Sequence, residues 1–220
     1  MKQIVVFIAL ILLTGCSNRE NKSCSNSALY GYVNICLPKI NGMTECRDHP
    51  NVQQITRNYL ETGPVLGYYL NNETYRQIDK LGEITFDNYF MIYGDYQREN
   101  YHATVADLEV AEKNLAQTLF EGDNFEQISS RVEEVYGSIT AGKPALIEKY
   151  MPQPHVRTMI ILIKYLNDST ETSVVSAINF ILLKNRVMSL AYYTTYDGGK
   201  SIDKLKEKNN DAIKKLSEIN

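Results

Sequence analysis

VRTMIILIKYL (residues 156–166), SVVSAINFILL (173–183) and VMSLAYYTTY (187–196) follow one another closely in the last third of the chain. Each is a β-branched and aromatic run, the composition of a strand that packs on at least one face. LNDSTET joins the first two and a tight Lys184-Asn185-Arg186 turn joins the last two, so the three read as an antiparallel meander. After Asp197-Gly198-Gly199, Ser201 opens a final helix with Ile202, Leu205, Ala212, Leu216 and Ile219 at helical spacing. Fewer than three heptads, with Asn209 on the seam, argue against a coiled coil. The pattern predicts a helix packed on the sheet.

Upstream the pattern mixes strands and helices. Leu29, Gly31, Val33, Ile35 and Leu37 alternate with Tyr30, Tyr32, Asn34 and Cys36, one extended stretch that Pro38 stops. Asp48 is placed to cap a helix with Val52, Ile55 and Tyr59 on one face, ended by Gly63-Pro64. VLGYYL (65–70) and YFMIYGDY (89–96) read as strands around a polar stretch, Asn71 to Leu81. Thr104, with Asp107 three residues on, starts a helix striped by Val105, Leu108, Ala111, Leu115 and Leu119. Asp123 with Glu126 starts another, through Phe125, Ile128, Val132 and Val135 to Gly137. The sum is an α+β fold, a mostly antiparallel sheet flanked by helices with a C-terminal amphipathic helix. Its element order resembles the Mog1/PsbP-like fold, including small envelope lipoproteins built on it.

The N-terminus carries a different signal. Lys2 precedes an apolar run from Ile4 to Leu13, then Thr14, Gly15 and Cys16. About ten apolar residues are too few to span a bilayer, which takes roughly 20, so the segment reads as an export signal that is removed. Leu13-Thr14-Gly15-Cys16 resembles the lipobox of bacterial lipoproteins. That resemblance implies cleavage after residue 15 and acylation of Cys16, with palmitate among the chains; two or more chains hold a protein to a membrane where one is marginal. Ser17 stands where the family's inner-membrane retention signal has aspartate, which implies an outer-membrane protein facing the periplasm. The expected organisation is a signal over 1–15, a polar tether over 16–27 beginning at the lipid, and a single domain over 28–220.

Composition narrows the partners. Losing Lys2 takes the formal charge from −3 to −4, and the lysines of the C-terminal segment are interleaved with acids, so no basic stripe for nucleic acid exists. Besides Cys16 the chain has Cys24, Cys36 and Cys46. In an oxidising compartment two of them can pair. Cys36–Cys46, across the loop INGMTE, is the first expectation, although either partner for Cys24 is equally permitted by arithmetic.

No catalytic constellation emerges. His49, His102 and His155 stand in no paired metal spacing and suit surface or cap positions. No nucleophile elbow or phosphate loop is present, and in Ala141-Gly142-Lys143-Pro144 proline follows where a helix should begin. Asp87, Asp95, Glu133 and Glu134 would need to converge across a cleft to do acid–base work. The expectation is therefore a non-enzyme without metal or cofactor. Its most distinctive residue is tyrosine, 16 of them with no tryptophan, a flat apolar body with a polar tip that suits both half-buried strands and protein interfaces. Tyr30, Tyr32, Tyr89, Tyr93 and Tyr96 are the expected outward binding cluster. The function they imply is non-covalent binding of a protein partner in the envelope, as an immunity protein against a periplasmic toxin or an assembly accessory. Alternatives are a small-ligand or glycan binder, and a hydrolase assembled only in three dimensions.

Overall fold

The computed structural model describes residues 24–57, 63–80, 88–121, 125–126, 129–130, 139–167 and 170–220. The signal, Cys16, the tether as far as residue 23, Asp87, Glu133, Glu134 and most of the helix expected from Asp123 lie outside the described residues.

The meander forms as its composition predicts. β8 (Val156–Asn167), β9 (Thr170–Leu183) and β10 (Arg186–Thr195) are successive antiparallel neighbours. Lys184 and Asn185 take φ of 47° and 58°, the paired positive values of a two-residue turn that matches strand twist. The short strands β3 (Met43–Glu45), β4 (Val65–Asn71) and β5 (Tyr89–Tyr93) extend the sheet beyond β10, and β6 (Ile139–Ala141) and β7 (Ala145–Tyr150) both pair with the outer edge of β8. Residues 142–144 form the break between those last two. Every pairing in this eight-stranded sheet is antiparallel.

Helices cover both faces. α4 (Gly199–Ile219) lays Leu205, Ala212, Ile213 and Leu216 against Val175, Ala177, Ile181 and Leu190; each fully buried leucine or isoleucine contributes roughly 1.5–3 kcal/mol. On the other face α3 (Val105–Phe120) sets Leu108 and Ala111 on Met159, Ile161, Ile178 and Phe180. The Thr104–Asp107 capping box expected from sequence starts it. Beside it, Val52 of α1 (Pro50–Thr56) and Ile78 pack over Tyr68, Tyr89 and Met91. α1 is capped by His49, whose ring accepts from the Asn51 N–H, rather than by Asp48, which pairs with Arg47. The polar stretch after β4 forms one helical turn, α2 (Asn72–Tyr75), and a 3-10 turn over Ile78–Lys80.

The expectation that α4 packs on the sheet holds, and Asn209 is where the two meet. Asn179 Nδ2 donates to Asn209 Oδ1 at 2.7 Å and Asn209 Nδ2 donates back to Asn179 Oδ1 at 3.0 Å. Thr158 Oγ1 donates to the same Asn179 oxygen, and Asn209 also donates to the Tyr150 hydroxyl. All three of Thr158, Asn179 and Asn209 are completely buried. A reciprocal amide pair in an apolar layer fixes the helix in one register, because any slide leaves buried polar groups unpaired.

Two expectations at the N-terminal end are corrected. The stretch from Ala28 to Leu37 is a hairpin, β1 (Ser27–Tyr30) and β2 (Val33–Cys36), turning at Gly31-Tyr32 with Gly31 at φ 57°. The disulfide joins Cys24 to Cys36, with Cα atoms 5.5 Å apart. Hairpin register explains that choice: Cys36 pairs with Ser27, bringing Cys24 alongside, whereas Cys46 follows β3 on the main sheet and is buried with its thiol donating to the Tyr68 carbonyl. Closing a loop of this size is worth about 3 kcal/mol in the chain-entropy account. Residues ahead of Ala28 also pack on the fold, with Asn26 Nδ2 donating to the Glu45 carboxylate.

Replacing Asn209→Ala removes both bonds of the amide pair and leaves Asn179 only Thr158 and the Leu190 carbonyl as partners, so the urea midpoint should fall by an amount equivalent to about 1–3 kcal/mol, with an unchanged m-value. High pH supplies a second test. Burial pushes the Cys46 thiol up from 9.0 to about 12, and burial also raises the phenols of Tyr30, Tyr69, Tyr93 and Tyr150 above their usual 10.0. The unfolded chain releases these protons first, so stability is fully present below pH 9 and declines as pH rises from 9 towards 12. Urea midpoints flat from pH 7 to 8.5 and falling between 9 and 11 are expected.

Candidate binding groove

The structure divides the five tyrosines expected as one outward cluster. Tyr30 is wholly buried (0% exposed) on the α4 side of the sheet. Tyr89 lies on the opposite face in an aromatic ladder, its ring stacked on Tyr68 at 5.4 Å and on Tyr193 at 4.7 Å between centroids. These two are removed from the binding surface. Strand alternation would have separated Tyr89 from Phe90, but it could not reveal that a turn at Gly31 sends Tyr30 inward and Tyr32 outward. Tyr32 is 88% exposed at the hairpin tip, Tyr96 is 47% exposed and Tyr101 is 53% exposed.

Tyr93 and Tyr96 do come together. They line an open groove of about 610 Å³ between α3 and the segment 94–98 that follows β5. Its apolar wall is Tyr93, Leu115, Phe180 and Val187; Gln97, Asn114, Thr118 and Ser189 supply neutral polar groups. Tyr93 is half-buried, and burial holds its phenol above the ordinary value against the lowering effect of a hydrogen bond with Ser189. The two charged lining residues, Asp95 and Arg98, pair with one another at 3.6 Å. The groove therefore carries no net charge, and an uncharged amphipathic segment enters it without losing a counter-ion. Leu115 was legible as part of the α3 stripe. Nothing in the sequence marked Phe180, Asn114 or Thr118 as its neighbours, because the helix and the meander meet only in the fold.

The segment 94–101 is the lip of this groove, and it is held from two sides. The Asp95 N–H donates to the Tyr30 hydroxyl at 3.0 Å, and that hydroxyl donates to the Asp95 carbonyl at 3.1 Å. From the meander side, Arg186 donates to the Tyr101 carbonyl at 3.1 Å. Asp95 also accepts from the Gln97 N–H, closing the turn locally. Contact with the hairpin is tight enough to dictate sequence. A Cβ on Gly94 would lie 2.2 Å from the Tyr30 ring, and one on Gly31 would lie 2.1 Å from the Glu99 carbonyl oxygen.

The remaining candidates resolve into structural parts. His49 caps α1 and approaches Asp79, His155 shares a hydrogen bond with Ser217, and His102 is exposed. Among the described residues no three His, Cys, Asp or Glu side chains are grouped as metal ligands would be. No helix among them is long and apolar enough to cross a membrane.

Gly94→Ala should displace the Tyr30 ring and cost about 1–3 kcal/mol, as overpacked cores do. Tyr96→Ala, at the exposed lip, should stay within about 0.5 kcal/mol of the parent; thermal melts of the two variants test the contrast. Compared with protein-family models, with curated proteins and with solved structures, the chain shows no match.

Proposed function

We propose that this chain is a lipid-anchored protein of the bacterial envelope, held to the outer membrane through Cys16 and facing the periplasm, that acts by non-covalent binding of a protein partner. The observation that carries the reading is the firmly held lip, which presents Tyr96 and Tyr101 to solvent beside an uncharged groove and next to Tyr32 at the hairpin tip. Tyrosine on a fixed backbone buries a large area at little entropic cost, and such a surface needs no catalytic group. Neutralising a toxin delivered into the periplasm and assisting an envelope assembly are both tasks of this kind. The antiparallel meander with its closing helix, and helices on both faces, support a Mog1/PsbP-like assignment for the domain. The neutral amides and hydroxyls of Gln97, Asn114 and Thr118 support a second reading in which the groove takes an uncharged small ligand or glycan.

The test uses the full chain purified from membranes and incubated with envelope extract. A stoichiometric protein retained by the parent and weakened about 30-fold by a Tyr96→Ala or Tyr101→Ala change, the size of an interface hot spot, is the expected result. Retention unaffected by Tyr32, Tyr96 and Tyr101 substitutions removes the surface from consideration, and capture of soluble oligosaccharide alone transfers the groove to the second reading. In the same strains Cys16→Ser should abolish palmitate labelling and leave the membrane fraction. Full membrane attachment of that variant contradicts the anchor.

A further inference from the structure

β1 and β2 form a two-stranded sheet of their own, outside the main ladder. Four residues per strand make a marginal unit in isolation, so its closure depends on what holds its two ends. At the open end the Cys24–Cys36 disulfide bridges the strands next to the Ser27–Cys36 pair, and the Leu37 N–H donates to the Asn26 carbonyl. At the turn end Tyr30 and Gly31 interlock with the groove lip: the Tyr30 hydroxyl takes both backbone groups of Asp95, and Gly31 lies against the Glu99 carbonyl. One small hairpin thus carries the only disulfide among the described residues at one end and the fixing point of the groove at the other.

We propose that Tyr30 is a positioning residue for the groove and that the Cys24–Cys36 disulfide, by closing the hairpin, controls the order of the lip through thiol–disulfide exchange. This control of binding rests on the groove reading above; the coupling between sulfur and lip does not. The co-reactant is a dithiol. Cys24 is partly exposed and Cys36 buried, so a thiolate of the reductant bonds to Cys24 Sγ as the S–S bond breaks, and Cys36 leaves as a thiolate that takes up a proton. The second thiolate of the reductant then displaces Cys24, which is protonated in turn, and the reductant closes to its own disulfide. Two electrons and two protons have passed to the protein. Without its covalent closure the four-residue ladder frays, and the lip loses the fixed position of Tyr30.

Amide hydrogen exchange reads this without a ligand. Three full-length proteins are compared: the oxidised parent, a variant carrying Cys24→Ser and Cys36→Ser, and Tyr30→Phe with the disulfide intact. In the two variants the amides of Asp95, Arg98 and Tyr101 should exchange at least 10-fold faster, with β8 and β9 unchanged. Unchanged lip amides in the cysteine variant overturn the coupling, and so does a uniform acceleration that includes β8 and β9, since the disulfide would then act only on global stability. Unchanged lip amides in Tyr30→Phe overturn its positioning role. If the lip loosens while partner capture is unaffected, the coupling stands and the groove is not the binding surface; if the lip stays ordered, the coupling falls whatever is captured.

Discussion

The structure depends on a strand that is buried on both sides. From Val174 to Ile181, β9 shows solvent neither face, so its residues stabilise the protein only if two separate layers cover the sheet. Val175, Ala177 and Ile181 meet α4 and the hairpin, while Ile178 and Phe180 meet α3. A sheet with one wet face could have done without one of those layers, but this composition cannot. Two polar residues interrupt it: Ser176, whose hydroxyl donates to the Ile161 carbonyl, and Asn179, opposite which Asn209 arrives, and the amide pair then decides where the closing helix stops sliding.

The groove follows from the same constraint. α3 covers β8, β9 and part of β10, α1 and the turn at Ile78 cover β4 and β5, and Tyr93 and Tyr193 pack against both clusters. Where β5 ends, the cover is left open and the chain turns back as the lip. Its charged residues neutralise one another, so recognition there has to come from shape, aromatic area and neutral hydrogen bonds. Long-range steering by charge would contribute little in a protein whose formal charge is only −3.

How much was legible in the sequence tracks how local the determining physics is. The meander was readable because β-branched runs and the Lys184-Asn185 turn act over a few residues, α3 because its cap and apolar stripe do, and α4 because its apolar stripe does, although it starts at Gly199 and not at Ser201. The disulfide was not, since pairing depends on hairpin register and three cysteines offer several solutions at once. Nor was the inward course of Tyr30: an alternating pattern reads as one strand when a glycine in its middle is taken for a strand residue. Gly31 was the available clue, as an isolated glycine in such a pattern marks a bend or a close backbone approach. The edge strands β3, β6 and β7 are short and pair at an outer rim, where they leave almost no periodic signature. The groove combines residues from four separate segments and no local rule assembles it.

The Cys24–Cys36 bridge also defines a mechanical path. Tension applied to the chain ahead of Cys24 crosses the sulfur bridge directly to Cys36 and continues into Leu37, where Asn220 clasps both backbone groups of Cys36 at 2.9 Å. Residues 25–35 lie on the slack side of that covalent short-circuit. Tyr30 and the lip it fastens therefore bear no load when the protein is pulled from its N-terminal end, and the force is delivered instead to the base of the hairpin and the end of α4.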